Sequence, residues 1–157
     1  MHRHKCFKTQ RNLKGHNIIE LAMLSVLFTV VAVFALDVGF VITGSQMNDA
    51  ACRDAARAAA QGNDYVTAMS LARAALSSHR SDGYFVTQPT LDTTTFQYED
   101  FAGSPPPDTS PFVTVTTTTN VRIPAPVLFM GAKFGTNGTL AFSKTFTFPI
   151  VKTKLYL

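Results

Sequence analysis

The sequence predicts an α+β fold. A long N-terminal transmembrane helix continues into an external helix, and a second short helix is followed by a small antiparallel β-sheet of three or four strands. An uncharged apolar run over residues 21–36 predicts the membrane helix, and an alanine-rich stretch after it predicts the external one. The chain from residue 84 onward is rich in Thr, Phe and Val, which favour strands.

The distribution of charge argues against a nucleic-acid-binding role. Charged residues make up 15% of the 157 residues, against about 25% in an average soluble domain. The formal net charge of +4 comes from the first 14 residues, which hold five cations and no acid. The basicity therefore belongs to an N-terminal leader, and we expect no nucleic acid among the partners. The leader cations are Arg3, Lys5, Lys8, Arg11 and Lys14.

The apolar segment sets the predicted domain organisation. As a helix, residues 18–42 reach about 37 Å at ~1.5 Å per residue, which is enough to cross a ~30 Å hydrocarbon core. Because cationic flanks stay on the cytoplasmic side, we expect a single-pass protein with a cytoplasmic N-terminus. The predicted parts are a basic leader over 1–15, a transmembrane helix over 16–42 and an external α+β domain over 43–157.

A removed secretory signal peptide is the alternative to a retained span. Such a peptide has a shorter apolar stretch, followed by a cleavage site of small residues. Here the stretch continues from Asp37 to Phe40 without such a site, which favours the retained span. Cys6 and Cys52 then lie on opposite sides of the membrane, so no disulfide bond between them is expected.

Glu20 places a carboxylate near the start of the apolar helix, where a charge needs a partner. It follows Gly15 by five residues, and Lys14 directly precedes that glycine. One interpretation is that Glu20 lies among the lipid headgroups and pairs with Lys14. The other interpretation is that its partner belongs to a second subunit.

The stretch from Lys14 to Glu20, between a basic leader and an apolar helix, resembles the processing site of type IV prepilins and pseudopilins. In those families a membrane aspartyl peptidase cuts after the glycine. The resemblance implies cleavage between Gly15 and His16, with a new amino terminus at His16. It also implies that Glu20 is a subunit-docking residue, which pairs with the amino terminus of a neighbouring subunit.

A longer stretch within the N-terminal part of the chain resembles the TadE/TadG-like family of tight-adherence (Flp) pilus assembly proteins. It has the glutamate pattern over residues 15–22, an acid near a glycine at 36–39, and an alanine- and arginine-containing helix at 46–60. Two positions depart from the family pattern. Leu21 replaces the usual aromatic residue, and Val26 stands where a helix-kinking proline is frequent.

The resemblance implies a pilin-like fold and a function. The chain would be a pseudopilin or minor pilin-like membrane protein in the assembly of a tight-adherence, type IVb-like pilus used in adhesion or secretion. The implied location is the bacterial inner membrane, with the external domain in the periplasm or on the cell surface. The implied partners are other pilin or pseudopilin subunits, a prepilin peptidase, inner-membrane assembly proteins and the lipid bilayer. The alternative is a signal-anchored external binding or structural domain that never enters a filament.

Two external helices are predicted. The first covers Gln46–Gln61, where alanines give a high helix propensity. Its small side chains permit close approach of another element, either its own domain, which we favour, or a neighbouring subunit. The second helix covers Tyr65–Ser78, with Asp64 as its N-cap. The helix-packing candidates are Ala50, Ala51, Ala55 and Ala58.

The strand segments alternate in side-chain type. Two long strands, Phe112–Ile123 and Leu140–Val151, are expected to pair antiparallel. Two short candidates, Tyr84–Gln88 and Thr93–Tyr98, are separated by Pro89. In the last strand one face carries positions 140, 142, 144, 146 and 148, of which only Lys144 is charged.

Three segments are predicted to connect the strands. The prolines over residues 103–111 require a loop. The apolar segment 127–134 is either a short helix or a loop packed on the outer leaflet. Residues 136–139 carry a turn signal.

No catalytic arrangement is recognisable, and we expect a protein that is not an enzyme and has neither cofactor nor metal. His2, His4 and Cys6 have ligand spacing, but no second cluster completes a tetrahedral site. His79 is the one histidine beyond the apolar segment, and it falls in a predicted loop. A tethered enzyme is therefore disfavoured, because acid, base and nucleophile do not converge.

Overall fold

The structure is a computed structural model that describes residues 11–125 and 138–150, with side chains from residue 17 onward. Most of the leader, the predicted element at 127–134 and the first half of the predicted turn at 136–139 lie outside the described residues. The elements are α1 (Arg11–Ala59), α2 (Tyr65–Ser78), β1 (Thr90–Leu91), β2 (Gln97–Glu99), a 3₁₀ turn (Phe101–Gly103), β3 (Phe112–Arg122) and β4 (Thr139–Pro149).

Helix α1 is one helix of 49 residues with two different halves. Nearly all side chains from residue 17 to residue 36 are exposed, whereas from Asp37 onward one face packs on the rest of the chain. By length and composition α1 is a candidate membrane span, since about 20 exposed residues reach ~30 Å. Within the exposed half, the Ser25 and Thr29 hydroxyls donate to backbone carbonyls one turn earlier.

Helix α2 has the range and the N-cap that its sequence predicts. The Asp64 carboxylate accepts a hydrogen bond from the Thr67 N–H at 2.7 Å and caps the helix. Its buried face, formed by Ala68, Ala72 and Leu76, joins the core that α1 shares with the sheet. The short link between the helices is tight, because a Cβ on Gly62 would lie 2.6 Å from the backbone of Ala68.

The sheet is built around β3. Strand β4 pairs with β3 antiparallel along its whole length, from Phe112 opposite Pro149 to Arg122 opposite Thr139. The short strands β1 and β2 pair antiparallel with the other edge of β3. The predicted pairing of the two long strands is thereby confirmed, and the fold is α+β with a small antiparallel sheet of four strands.

The two faces of the sheet differ in composition. On β3, alternate residues from Val113 to Val121 are fully buried beneath α1. Because directly paired residues share a face, the five β4 residues predicted to share one face lie on this inner side. The outer face carries threonines, and the Thr114–Thr147 and Thr116–Thr145 hydroxyl pairs are each 2.9 Å apart.

Helix α1 lies along β3 and runs in the opposite direction. Gly44 contacts Val121, Asn48 hydrogen-bonds to Thr117 and Thr119, and Cys52 reaches the Val115 carbonyl. Residues of α1 that are further from its exposed half therefore contact residues nearer to the start of β3. The close approach needs glycine at position 44, since a Cβ there would overlap the side chain of Val121.

Two short strand predictions need correction. The segment Tyr84–Gln88 forms only a single bridge, between Val86 and Val121, because the Asp82 carboxylate accepts backbone N–H groups of residues 84–86. A carboxylate that binds nearby N–H groups competes with a strand ladder. The segment Thr93–Tyr98 begins in the same way, with Asp92 binding Thr94, so the strand is confined to Gln97–Glu99.

Replacing Gly44 by alanine should destabilise the protein. Overpacking against Val121 is expected to lower the free energy of unfolding by about 1–3 kcal/mol. Gly39→Ala is the matched control, because its Cβ meets nothing within 4 Å and helix propensity favours alanine by about 1 kcal/mol. Thermal unfolding followed by circular dichroism in lipid nanodiscs measures both. A Gly44→Ala variant as stable as Gly39→Ala would contradict the close approach.

Candidate functional site

The exposed half of α1 is the largest apolar surface of the described chain. The large apolar side chains from Ile18 to Leu36 that are exposed show 41–75% of their surface. They lie all around the helix, as expected for a segment surrounded by lipid or by other helices rather than by its own domain. This surface is therefore the first candidate for an interaction site.

Glu20 lies at the N-terminal end of this surface. Its side chain is exposed, and among the side chains that the structure describes, which begin at residue 17, none forms a hydrogen bond or ion pair with it. Along the helix axis it is about 24 Å from Leu36, so the packed half of α1 is too far away to supply a partner. Gly15 and His16, the residues predicted for processing, lie within α1.

The four alanines predicted for helix packing do not share one environment. Ala51 and Ala55 are fully buried against the sheet and α2, in the same cluster as Cys52 and Ala59. Ala50 is exposed and Ala58 is half-buried. The small-residue face of α1 therefore packs at least in part on its own domain, while Ala50 remains accessible from outside.

Asn48 is the most completely hydrogen-bonded buried side chain of α1. Its Oδ1 accepts from the Thr117 and Thr119 hydroxyls at 2.9 and 3.0 Å. Its Nδ2 donates to the Phe142 carbonyl at 3.0 Å and to the Thr117 carbonyl at 3.4 Å. The amide is fully buried, and it joins α1 to both β3 and β4.

Cys52 lies one turn after Asn48 and also contacts both strands. Its thiol donates to the Lys144 carbonyl at 3.2 Å and lies 3.4 Å from the Val115 carbonyl. Burial raises the pKa of the Cys52 thiol, because a thiolate in this position would be desolvated. Cys52 is a free cysteine and a packing residue rather than a reactive one.

Asp37 stands where the exposed half of α1 meets the packed half. The side chain is fully buried, and its Oδ1 accepts from the Ala125 N–H at 3.4 Å. The other oxygen, Oδ2, is buried and has no hydrogen-bond partner among the described residues. Asp37 thus ties the start of the packed half to the chain that leaves β3.

A charged seam covers the outer side of the α1–β4 contact. The Arg53 guanidinium lies 5.0 Å from the centroid of the Phe146 ring and forms an ion pair with Asp49 at 2.7 Å. The Arg57 guanidinium lies 5.8 Å from the centroid of the Phe148 ring. These aromatic residues of β4 are half-buried, so the arginines shield their rings from solvent.

His79 was predicted to lie in a loop, and in the structure its ring has a carboxylate beside it. Its Nε2 lies 3.1 Å from the Asp54 carboxylate, which links the end of α2 to α1. The neighbouring Ser77 and Ser78 hydroxyls donate to carbonyls of their own helix, so neither is hydrogen-bonded to this histidine. Within residues 17–125 and 138–150, no group of three or more His, Cys, Asp or Glu side chains is arranged to hold a metal ion.

Sequence reasoning did not identify Asn48 and left the role of Asp37 open. A signal for Asn48 was present, because it lies three and four residues before the small residues Ala51 and Cys52 and so shares their helix face. A polar residue on such a face must find partners in the interior. For Asp37 the sequence offered no comparable signal, since its partner is the backbone of residue 125.

Comparison with known proteins adds no relative. No protein-family model, curated protein or solved structure matches the chain.

Replacing Asn48 by alanine should destabilise the contact between α1 and the sheet. The change leaves the Thr117 and Thr119 hydroxyls without their acceptor, and the expected loss is about 1–3 kcal/mol in the free energy of unfolding. Asn120→Ala, on the exposed side of the same strand, should have little effect. Chemical denaturation in mild detergent measures both variants. Equal stability of the two variants would refute the role given to the amide.

Stability should also fall at alkaline pH because of Cys52. Its pKa is raised in the folded state, so the thiol contributes stability below the unfolded-state pKa of roughly 8.5 and loses it progressively as pH rises above that value. The free energy of unfolding of the natural chain should therefore drop more steeply between neutral and alkaline pH than that of Cys52→Ala. Parallel slopes for the two proteins would show that burial does not perturb this thiol.

Proposed function

We propose that this protein is a pseudopilin or minor pilin-like membrane protein that takes part in assembly of a tight-adherence, type IVb-like pilus. One observation carries the proposal. A single helix joins an exposed apolar half, with a lone carboxylate near its start, to a second half that packs a small antiparallel sheet. The role is structural, and the chain acts through contacts with other subunits.

The continuity of α1 fixes the direction of the external domain relative to the apolar half. The helix contains no proline, since the first proline of the chain is Pro89. A helix without a proline kink keeps the external domain in line with the membrane segment. Lipid would cover the exposed half before assembly, and the corresponding helices of neighbouring subunits would cover it afterwards.

Glu20 would select the neighbouring subunit. A carboxylate at this depth of an apolar helix is costly unless a cation meets it, and no side chain that the structure describes, from residue 17 onward, does so. A prepilin peptidase that cuts after Gly15 would create an ammonium group at His16. In an assembly, the ammonium group of one subunit and the Glu20 carboxylate of the next would neutralise each other within the apolar layer.

The alternative function is a signal-anchored external binding or structural domain outside any filament. It shares the membrane span and the external domain with the first proposal. It differs in two respects, because it needs neither removal of the leader nor a partner for Glu20. The two functions are therefore separated by the N-terminus of the mature chain.

Processing of the leader is the decisive measurement. When a prepilin peptidase is present, we expect the chain purified from membranes to begin at His16. Its intact mass and its N-terminal sequence both measure this. Without the peptidase, the chain should retain residues 1–15. A full-length chain under both conditions would overturn the pseudopilin assignment and leave the anchored domain.

A substitution at Glu20 extends the same experiment. Glu20→Gln should still be processed and inserted, because the peptidase site and the apolar helix remain. It should lose most of its co-purification with other pilin or pseudopilin subunits, because the carboxylate is absent. Glu99→Gln, an exposed carboxylate on β2, is the matched control and should co-purify normally. Normal assembly of Glu20→Gln would place the docking contact elsewhere.

A further inference from the structure

We propose that Tyr84 and Arg122 form a contact surface for the phospholipid headgroups of the external leaflet. This pair of residues is termed the membrane-facing patch. The inference rests on the membrane span of α1 and is independent of the pilus assignment. It concerns how the external domain sits on the bilayer from which its helix emerges.

Two independent sets of contacts set the height of the patch above the exposed half of α1. Phe85, next to Tyr84, stacks on Phe40 with ring centroids 4.4 Å apart. On β3, the residue before Arg122 contacts Gly44. Both sets of contacts place the patch beside the first two turns of the packed half of α1.

These contacts place the patch at the depth of the headgroups. Phe40 lies four residues after Leu36, the last residue of the exposed half, which is about 6 Å along the helix axis. The exposed half matches a hydrocarbon core of ~30 Å, and headgroups add about 5–8 Å on each side. A side chain at the level of Phe40 therefore lies within the headgroup layer. Gly44, eight residues or about 12 Å after Leu36, lies just above it, so the long Arg122 side chain reaches the layer by snorkelling.

The chemistry of the patch suits this layer. Tyr84 is 61% exposed although it is a large aromatic residue, and tyrosine is enriched at membrane interfaces. The Arg122 guanidinium lies 5.1 Å from the centroid of the Tyr84 ring, and no described residue forms a side-chain hydrogen bond or ion pair with it. A guanidinium binds phosphate through two parallel hydrogen bonds. The pair thus offers an amphipathic ring and a phosphate donor side by side.

The carboxylate nearest to Tyr84 in the sequence is bound by the backbone of its own loop. Asp82 accepts hydrogen bonds from the N–H groups of Tyr84, Phe85 and Val86. These bonds, that of Val86 foremost, lower the pKa of the Asp82 carboxyl, and they direct its oxygens towards the loop backbone. Asp82 therefore fixes the loop that presents Tyr84.

The loop that carries Tyr84 is joined to β3 by a backbone hydrogen bond. The Arg122 N–H donates to the Phe85 carbonyl at 2.7 Å, which joins the loop to the end of β3. Tyr84 also meets Phe85 edge-on, with centroids 4.8 Å apart. Because Phe85 and Arg122 contact the Tyr84 ring, the ring loses little conformational entropy when it binds a surface.

Tryptophan fluorescence tests the proposal directly, because the natural chain contains no tryptophan. Full-length Tyr84→Trp is placed in nanodiscs made with phosphatidylglycerol and with phosphatidylcholine brominated near the carbonyl end of its acyl chains. We expect a blue-shifted emission and loss of intensity relative to discs without bromine. Tyr65→Trp is the matched control. Tyr65 is 44% exposed beyond the far end of α1, and its replacement should show neither change.

A third position separates failure of the patch from failure of the span. Phe28→Trp lies in the exposed half of α1 and should be quenched by lipid brominated deep in the chains. If Phe28→Trp is quenched and Tyr84→Trp is not, the patch does not touch lipid and the inference is overturned while the span stands. If neither is quenched, the span fails and the inference fails with it. Quenching at Tyr65→Trp as well would mean that the domain lies flat, which also overturns the inference.

Arg122→Gln in the Tyr84→Trp background tests the phosphate contact. We expect part of the quenching to be lost in discs that contain phosphatidylglycerol. Arg53→Gln, which also removes a guanidinium stacked on an aromatic ring but lies further from the exposed half, should leave the quenching unchanged. Unchanged quenching in both variants would assign the contact to the ring alone and overturn the role of Arg122.

Discussion

The arrangement of this molecule depends on one buried amide. Asn48 uses its oxygen and its nitrogen on groups of two strands, β3 and β4, from a single position on α1. The alanines on the same face contribute no hydrogen bond, so the amide and the close approach at Gly44 define the position of the helix along the sheet. Any slide would leave the amide and the two threonine hydroxyls unpaired in the interior, at a cost of about 1–3 kcal/mol for each group.

Once α1 is fixed on the sheet, the rest of the architecture follows from its length. The half that precedes Asp37 has no covering element among the described residues and shows apolar side chains on all sides. The half that follows carries the sheet at a defined distance from that apolar segment. A single helix therefore sets the distance of the sheet from the apolar segment and brings Phe85, next to Tyr84, to the level of Phe40.

The elements that the sequence predicted well are those set by near neighbours in the chain. The continuous apolar run, the alanine-rich helix and the two long alternating strands all depend on local periodicity. The two short strand predictions that needed correction failed because of local side-chain hydrogen bonds. Asp82 and Asp92 each bind backbone N–H groups a few residues later and replace strand pairing with a turn. A count of β-favouring residues does not register this competition.

The sequence by itself determined the long apolar helix, the order of helices and strands, and which β4 residues share a face, because these follow from side-chain type and spacing. Only the tertiary structure decided that Ala51 and Ala55 turn inward while Ala50 faces outward. It alone supplied the partners of Asn48 and Asp37, which lie 69 to 94 residues away for Asn48 and 88 for Asp37. Periodicity identifies a buried face, but the groups that face it are set by the packing of distant segments.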